Sequence, residues 1–209
     1  MFFSEIQKQA GLIEFAKIVM CEVTDHNQDI ATAADEGRQW FVMRDLTRGN
    51  AKLPAYKMLE QEGIKCFTPM VQKVFVRNGR RERRCVPYIH DLVFAYERRE
   101  VLDPIVEAVQ TFQYRFLRNA YCQPMTVRNE DMERFIRAVQ STDTPRYYRA
   151  DEITPAMLRH RIRIIGGRLD GYEGFLLTVR GSKVKRLLVE LPTLLTAAVE
   201  VEAEFVEVL

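Results

Sequence analysis

The sequence predicts an α+β protein in which a mixed sheet flanked by helices is joined to a small all-β barrel. From Trp40 to about residue 141, apolar runs with the two-residue period of strands alternate with stretches of helical period. Residues 158–209 hold short β-branched runs separated by Gly, Ser and Pro, which is typical of a small closed barrel. Residues 142–157 are polar, contain two prolines and lack periodicity, so they are predicted to be a linker.

The first half of the mixed region predicts a strand, a helix and a hairpin. The strand is QWFVMRDL, and the helix lies within residues 50–63, with Asn50 as its cap and Gly63 as its stop. The strand-like run IKCFTPMVQKVFV then reaches Asn78-Gly79, a strong hairpin signal. A return strand is predicted through RRCVPYIHDLVFAYE.

The second half predicts two more helices with a strand between them. The first helix is marked by apolar residues at helical spacing, namely Val101, Ile105, Ala108, Val109 and Phe112. The run FQYRFLR is predicted to be a strand. The last helix, with Asn129 as its cap, is marked by Met132, Phe135, Ile136 and Val139.

Residues 1–39 are predicted to be a helical extension followed by a linker. Ser4 and Gln7 fit a capping box, and apolar residues recur at helical spacing up to Val19, which predicts a helix from Ser4 to Cys21. The polar stretch that follows lacks periodicity. With seven acidic and three basic residues, the extension is expected to avoid nucleic acid.

The composition predicts a soluble cytoplasmic protein. It is 47% hydrophobic and 29% charged, with a net charge of +2. No apolar run approaches the roughly 20 residues of a membrane-spanning helix, and no signal peptide is evident. The four cysteines are widely scattered, which favours reduced thiols over disulfides or a zinc site.

No catalytic site, cofactor or metal site is predicted. The three histidines lie far apart and lack ligand spacing. Neither a G-x-x-x-x-G-K-[ST] nor a G-x-G-x-x-G phosphate cradle occurs, and no Ser or Cys has a recognisable nucleophile setting. The sequence therefore favours a binding protein over an enzyme.

Two basic clusters are candidates for nucleic-acid binding. The segment from Lys73 to Arg84 holds six basic residues and one acidic residue around the hairpin turn. Clustered arginine is typical of a phosphate-binding surface, although a solvated hairpin kept soluble by charge explains this pattern equally well. The candidate residues of the hairpin are Arg80, Arg81, Arg83 and Arg84. The candidates at the first strand–helix turn are Arg44, Arg48 and Lys52.

The run RIRIIGGRLDGYEGFLLTVRG, residues 161–181, places glycines where a small barrel needs them. Strands of such a barrel turn sharply and approach closely, and glycine tolerates both conditions. The run resembles the KOW motif, which occurs in ribosomal proteins and in transcription factors of the NusG type.

The preceding region resembles the NusG N-terminal domain. The resemblance rests on WFVMRDL, GIKCFTPM, the basic hairpin and PYIHDLVFAYE, and it covers Trp40 to Leu209 in order and spacing. CFTPM followed by VRNGRR is similar to specialised paralogues of the RfaH kind and to antiterminators of capsular-polysaccharide operons. After the hairpin the family pattern P-[LI]-[FI]-P-[GS]-Y-[VL]-F-V is altered, with His90, Asp91 and Leu92 at its second proline, small residue and tyrosine.

The resemblance implies a domain division and a function. Residues 40–141 would form the NusG-like domain that binds RNA polymerase, and residues 158–209 an SH3-like KOW barrel. The first would dock an apolar patch on the clamp helices of the largest polymerase subunit, hold the clamp over DNA and suppress pausing or termination. Carried over by motif, the patch comprises Ile89, Leu92 and Phe94. Alternation along a strand does not place all three on one surface, so the alternative is that some of them point into the sheet's own core. Trp40 is expected in the core.

The resemblance also implies further partners. Arg44, Arg48 and Lys52 would contact non-template DNA, and the KOW domain would bind a ribosomal protein or a termination factor. Residues 159–186 hold eight basic and two acidic residues, so direct RNA contact is a further option for the barrel. The alternative function is that of a ribosome- or RNA-associated KOW protein that does not bind polymerase.

Overall fold

The computed structural model describes most of the chain after residue 36, and residues 37–209 form one compact unit. The described residues are 37–49, 51–77, 79–118, 120–158, 160–178, 184–201 and 206–209. The predicted helix from Ser4 to Cys21 and the polar stretch after it, up to residue 36, lie outside them. Asn50, the predicted cap of the first helix, also lies outside.

The first sheet confirms the predicted α+β class. Its strands lie in the order β2-β5-β1-β6, and β7 also pairs with β1. The sequence predicts a mixed sheet. In the structure every strand of this sheet runs antiparallel to its neighbours. The strands are β1 (Gln39–Asp45), β2 (Lys65–Phe67), β5 (Val93–Glu97), β6 (Phe112–Tyr114) and β7 (Thr126–Val127).

Three helices accompany this sheet. They are α1 (Ala55–Gln61), α2 (Arg99–Ala108) and α3 (Asn129–Gln140). The predicted stop of the first helix is confirmed, since Gly63 has a φ of 71° and donates its N–H to the Glu60 carbonyl at 3.1 Å. The Ile64 N–H reaches the Leu59 carbonyl at 2.9 Å, which completes a Schellman motif. The second helix ends before Phe112, which belongs to β6.

Alternation along β1 divides the first sheet into two buried faces. Phe41 and Met43 belong to one core cluster, which also includes buried residues of α1 and α2. Trp40 and Val42 belong to another, which includes buried residues of α3 and of the second sheet. Trp40 is fully buried, as the sequence predicts.

The predicted hairpin forms a two-stranded sheet of its own, which we call the ribbon. Its strands are β3 (Met70–Arg77) and β4 (Arg80–Pro87), and neither pairs with any other strand that the structure describes. Arg77 pairs with Arg80 across the turn, which confirms the predicted two-residue hairpin connection. The return strand predicted as one run is divided, because β4 ends at Pro87 and β5 begins at Val93.

Residues 146–208 contribute six antiparallel strands to a second sheet, in the order β13-β9-β10-β11-β12-β8. The strands are β8 (Arg146–Arg149), β9 (His160–Ile164), β10 (Glu173–Thr178), β11 (Lys185–Leu191), β12 (Leu195–Val201) and β13 (Val206–Val208). Strand β8 lies within residues 142–157, which were predicted to be a linker. Its pairing with β12 and the burial of Tyr147 explain why this polar segment is ordered as part of the sheet.

The glycine-rich run uses its glycines in two ways. Gly166, Gly167 and Gly171 have φ values of 85°, 73° and 74°, a region that favours glycine. Gly174 instead lies against β11, where an added Cβ would collide with the Leu188 carbonyl oxygen. The two reasons predicted from the sequence, sharp turns and close backbone approach, are both confirmed.

No helix among the described residues is both long enough and apolar enough to cross a membrane.

Candidate nucleic-acid interface

A buried carboxylate organises the first strand–helix turn. Asp45, at the end of β1, is 2% exposed. Its Oδ1 accepts the Thr47 N–H at 2.9 Å, and its Oδ2 accepts the Ala55 N–H at 2.8 Å. Ala55 begins α1, and the preceding Pro54 makes no side-chain capping bond, so Asp45 supplies the acceptor from the neighbouring strand. The sequence analysis missed this role, although an Asp at a strand end before a helix is a recognisable signal.

Asp45 thereby anchors the loop that carries two of the predicted DNA-binding residues. Arg48 and Lys52 are exposed on this loop. Neither forms an ion pair with any residue that the structure describes. Both cations are therefore available to phosphate groups.

Arg44, the third predicted residue of this turn, has partners. Asp91 Oδ2 lies 3.9 Å from Arg44 Nε and 3.4 Å from Arg115 Nη2. The side chains of Arg44, Asp91 and Arg115 are 45%, 38% and 32% exposed, so the ion pairs are screened and each is worth about 0–1 kcal/mol. The three groups carry a net charge of +1, and Arg115 joins the candidate surface as a residue that sequence analysis missed.

His90 and Asp91, which depart from the family pattern, connect the first strand–helix turn to the segment before β5. The Asp91 carbonyl accepts the Asp45 N–H at 3.3 Å, which ties the end of β1 to the segment before β5. An added Cβ on Gly49 would lie 3.4 Å from His90 Nε2, so the turn passes close to that imidazole. His90 and Asp91 therefore pack against the turn that carries Arg44 and Arg48.

The ribbon carries the other predicted nucleic-acid residues. Arg80, Arg81, Arg83 and Arg84 are all exposed on β4. Arg84 pairs with Glu82, with 2.6 Å between Nη2 and Oε2, and this hydrogen bond lowers the pKa of the Glu82 carboxyl. The ribbon is a separate two-stranded sheet, so no strand pairing joins its arginines to the first turn.

The predicted polymerase-docking patch is largely buried. Leu92 and Phe94 are 1% and 0% exposed, and Ile89 is half-buried against the same core cluster. That cluster also includes Phe135 of α3 and Ile162 of the second sheet. An accessible apolar patch at these residues is therefore not present in the conformation described, because α3 and the second sheet share the core that holds them.

Polar contacts connect α3 to the second sheet. Arg134 donates from Nη2 to the Glu173 carbonyl at 2.7 Å, and its guanidinium lies 5.0 Å from the centre of the Tyr172 ring. The Tyr172 hydroxyl donates to the Arg134 carbonyl at 3.1 Å. The sequence offered no signal for this pairing, since the residues are almost 40 positions apart.

A second contact links Tyr88, in the segment after the ribbon, to β8 and to the segment that follows β8. The Tyr88 hydroxyl donates to Glu152 Oε2 at 2.9 Å, and the Tyr88 ring lies 5.5 Å from that of Tyr147. Desolvation and the neighbouring Glu152 carboxylate raise the pKa of Tyr88 to about 12. The Arg149 N–H and the Tyr88 hydroxyl lower the pKa of Glu152.

Acidic partners offset much of the basic charge of the second sheet. Glu173 lies 3.1 Å from Arg161 and 2.6 Å from Arg163, and the hydrogen bond from Arg163 lowers its pKa. Arg186, only 7% exposed, pairs with Glu200 at 2.7 Å. These arginines are engaged within the sheet, which makes it a weaker anion-binding surface than its composition suggests.

The candidate interface consists of cations on a turn held by a buried aspartate and of an arginine-rich ribbon of two strands. Among the described residues no group of three or more His, Cys, Asp or Glu could hold a metal ion.

Comparison with known proteins agrees with the resemblance over the first sheet. Residues 38–136 match the family model described as "Transcription termination factor nusG", which spans just under half of the chain. This part of the chain is therefore similar to the NusG family. The finer resemblance to paralogues of the RfaH kind stays a prediction.

Two further comparisons carry less information about the family. No curated protein matches the chain. A solved structure described as "Domain interaction in Thermotoga maritima NusG" is similar, with 16% sequence identity and a TM-score of 0.41. The similarity covers 81% of this chain and 96% of that one. At this level of similarity, nothing about function follows from it.

Proposed function

We propose that this protein is a non-catalytic transcription elongation or antitermination factor. It binds RNA polymerase, holds the clamp over DNA and suppresses pausing or termination, in the service of a specific operon such as one for surface polysaccharide synthesis. The observation that carries the proposal is the match of residues 38–136 to the NusG family model, over the region that forms the first sheet and most of its helices.

The docking surface for the clamp helices of the largest polymerase subunit comprises Ile89, Leu92 and Phe94. Leu92 and Phe94 are buried in a core cluster that includes residues of the second sheet, so the described conformation is a closed one. Polymerase binding through these residues requires α3 and the second sheet to separate from this face. Such an anchor, once accessible, commonly contributes about 2 kcal/mol or more to binding.

Few polar contacts maintain the closed conformation. Of the two hydrogen bonds between Arg134 and the segment Tyr172–Glu173, one is exposed and the other is partly buried, and a typical hydrogen bond contributes only about 0.5–1.5 kcal/mol net. Partners that bind the open form can therefore shift the balance, provided that their affinity exceeds the cost of exposing the apolar face.

Nucleic acid bound to polymerase supplies the second contact. Arg44, Arg48 and Lys52 are positioned to neutralise phosphates of non-template DNA, and Arg48 and Lys52 have no acidic partner among the described residues. Such contacts fix position and orientation and carry no sequence information. The arginines of the ribbon add to the same electrostatic attraction.

The second sheet serves as the recruiter of another component, a ribosomal protein or a termination factor. Two observations favour a protein partner over RNA there. Arg161 and Arg163 already pair with Glu173, and Arg186 pairs with Glu200, so few cations remain for phosphates.

A pull-down of the full chain with purified core polymerase, with and without a nucleic-acid scaffold, tests the proposal. We expect association in both cases, stronger with the scaffold, and reduced pausing in an in vitro elongation assay. Co-sedimentation with ribosomes in the absence of polymerase binding would refute it and favour the ribosome-associated alternative.

A matched pair of variants tests the closed conformation. Arg134→Ala removes the hydrogen bond and the ring contact to the second sheet, so polymerase association should increase. Glu133→Ala on the same helix removes an exposed side chain for which no hydrogen bond or ion pair is seen within the described residues, and should leave association unchanged. Equal effects of the two variants would contradict the closed conformation.

A further inference from the structure

The two faces of the ribbon differ in chemistry, as the strand register shows. Residues directly opposite each other in an antiparallel pair lie on the same face. Val74 pairs with Arg83 and Val76 with Arg81, and these four residues define what we call the valine face. The opposite face, called the phenylalanine face, comprises Lys73, Phe75, Arg77, Arg80, Glu82 and Arg84.

On the phenylalanine face, one arginine pairs with an acidic side chain and also lies over the aromatic ring. Arg84 pairs with Glu82 at 2.6 Å, and its guanidinium lies 6.0 Å from the centre of the Phe75 ring. The one acidic side chain of the ribbon is therefore on this face, and an arginine lies over its aromatic residue.

On the valine face, no acidic side chain pairs with the arginines and the valines are mostly exposed, as far as the structure describes the chain. Val74 and Val76 are 58% and 71% exposed, the two most exposed of the apolar residues of the ribbon. Within the described part of the chain, no acidic residue pairs with Arg81 or Arg83. Two cations beside two exposed apolar side chains are complementary to a ligand that presents negative charge next to apolar surface.

The shape of the ribbon restricts that ligand further. No third strand among the described residues pairs with it, so it is narrow, with strands about 4.8 Å apart. The major groove of B-form DNA is about 12 Å wide and admits a two-stranded ribbon, whereas the major groove of A-form RNA is too deep and narrow for side chains to read. Single-stranded nucleic acid is bound largely by stacking on aromatic side chains, and the valine face has none.

We propose that the valine face of the ribbon binds double-stranded DNA in the major groove. Arg81 and Arg83 neutralise phosphates, and Val74 and Val76 lie against apolar base edges such as thymine methyl groups. The inference rests on the nucleic-acid contact of the proposed function and adds to it the kind of nucleic acid and the face that binds it.

Binding of a 20-base-pair DNA duplex to the full chain, measured by fluorescence anisotropy over a range of salt concentrations, tests the assignment. Arg81→Gln with Arg83→Gln should weaken binding and reduce the slope of log affinity against log salt by about two, since each lost phosphate contact contributes about 0.9. Lys73→Gln with Arg77→Gln removes the same charge from exposed positions of the phenylalanine face, and should change the slope much less.

A third variant separates the apolar contribution from charge. Val74→Thr with Val76→Thr keeps the shape and strand preference of the side chains, and should reduce affinity several-fold at an unchanged salt slope. The emission of Trp40, the only tryptophan, verifies that each variant retains its core.

Two results would overturn the inference. One is an equal loss of binding for the two double-glutamine variants, which would mean general attraction by charge. The other is binding of single-stranded DNA or duplex RNA as tight as that of duplex DNA. A polymerase pull-down without nucleic acid keeps the two proposals distinct, since it tests the proposed function independently of the ribbon.

Discussion

The substitution Leu92→Ala distinguishes a core position from a surface one. The sequence motif predicts that Leu92 lies on a docking surface. In that case Leu92→Asp would abolish polymerase binding and leave the fold intact. In the structure Leu92 is 1% exposed within the core cluster that includes α3 and the second sheet. Truncation of a fully buried leucine removes its transfer free energy and leaves a cavity, which together cost about 2–5 kcal/mol. Since domains are stable by about 5–15 kcal/mol, we expect a large fall in the denaturation midpoint.

Chemical unfolding followed by Trp40 fluorescence measures this cost, because Trp40 lies in the same cluster and is the only tryptophan. Ile89→Ala is the matched comparison: Ile89 is only half-buried, so roughly half the loss is expected. A loss below about 1 kcal/mol for Leu92→Ala, under the lower end of the range for buried leucines, would refute the core assignment. A fall in polymerase binding without any change in unfolding would mean that Leu92 is accessible in the free protein, contrary to the closed conformation.

Two further predictions concern the second sheet and the acid range. Gly174→Ala should cost about 3 kcal/mol, the upper end of overpacking costs, because the added Cβ meets the Leu188 carbonyl oxygen. Gly171→Ala meets open space and should cost only its left-handed backbone strain of about 1–2 kcal/mol, so unfolding midpoints that ranked the two in the reverse order would contradict the packing argument. Glu152 has a lowered pKa in the folded state, so its stabilisation is present above the ordinary carboxyl range and is lost as the pH falls through the lowered pKa. Glu152→Gln should therefore lower the midpoint at pH 7, with a difference that shrinks on acidification. A difference that does not depend on pH would exclude the linkage.

Much of the local structure was predictable because it depends on neighbours in the chain. The Asn78-Gly79 pair predicts the hairpin in which Arg77 and Arg80 pair, and Gly63 predicts the end of α1. The exposed cations of the candidate interface were also predictable, since arginine and lysine rarely lie fully buried. Element boundaries were less predictable, as Phe112 shows by joining β6 instead of α2.

The α+β class, the glycine-dependent turns, the basic hairpin and the resemblance to the NusG family could all be predicted from the amino-acid sequence, and the family model matches residues 38–136. The burial of Leu92 and Phe94, the position of Asp91 between two arginines and the pairing of β8 with the second sheet could be seen only in the folded protein. The difference lies in distance along the chain. Turn chemistry and periodicity act between residues a few positions apart, whereas burial and ion pairing depend on which distant surfaces pack together, and alternation along a strand does not say what covers each of its faces.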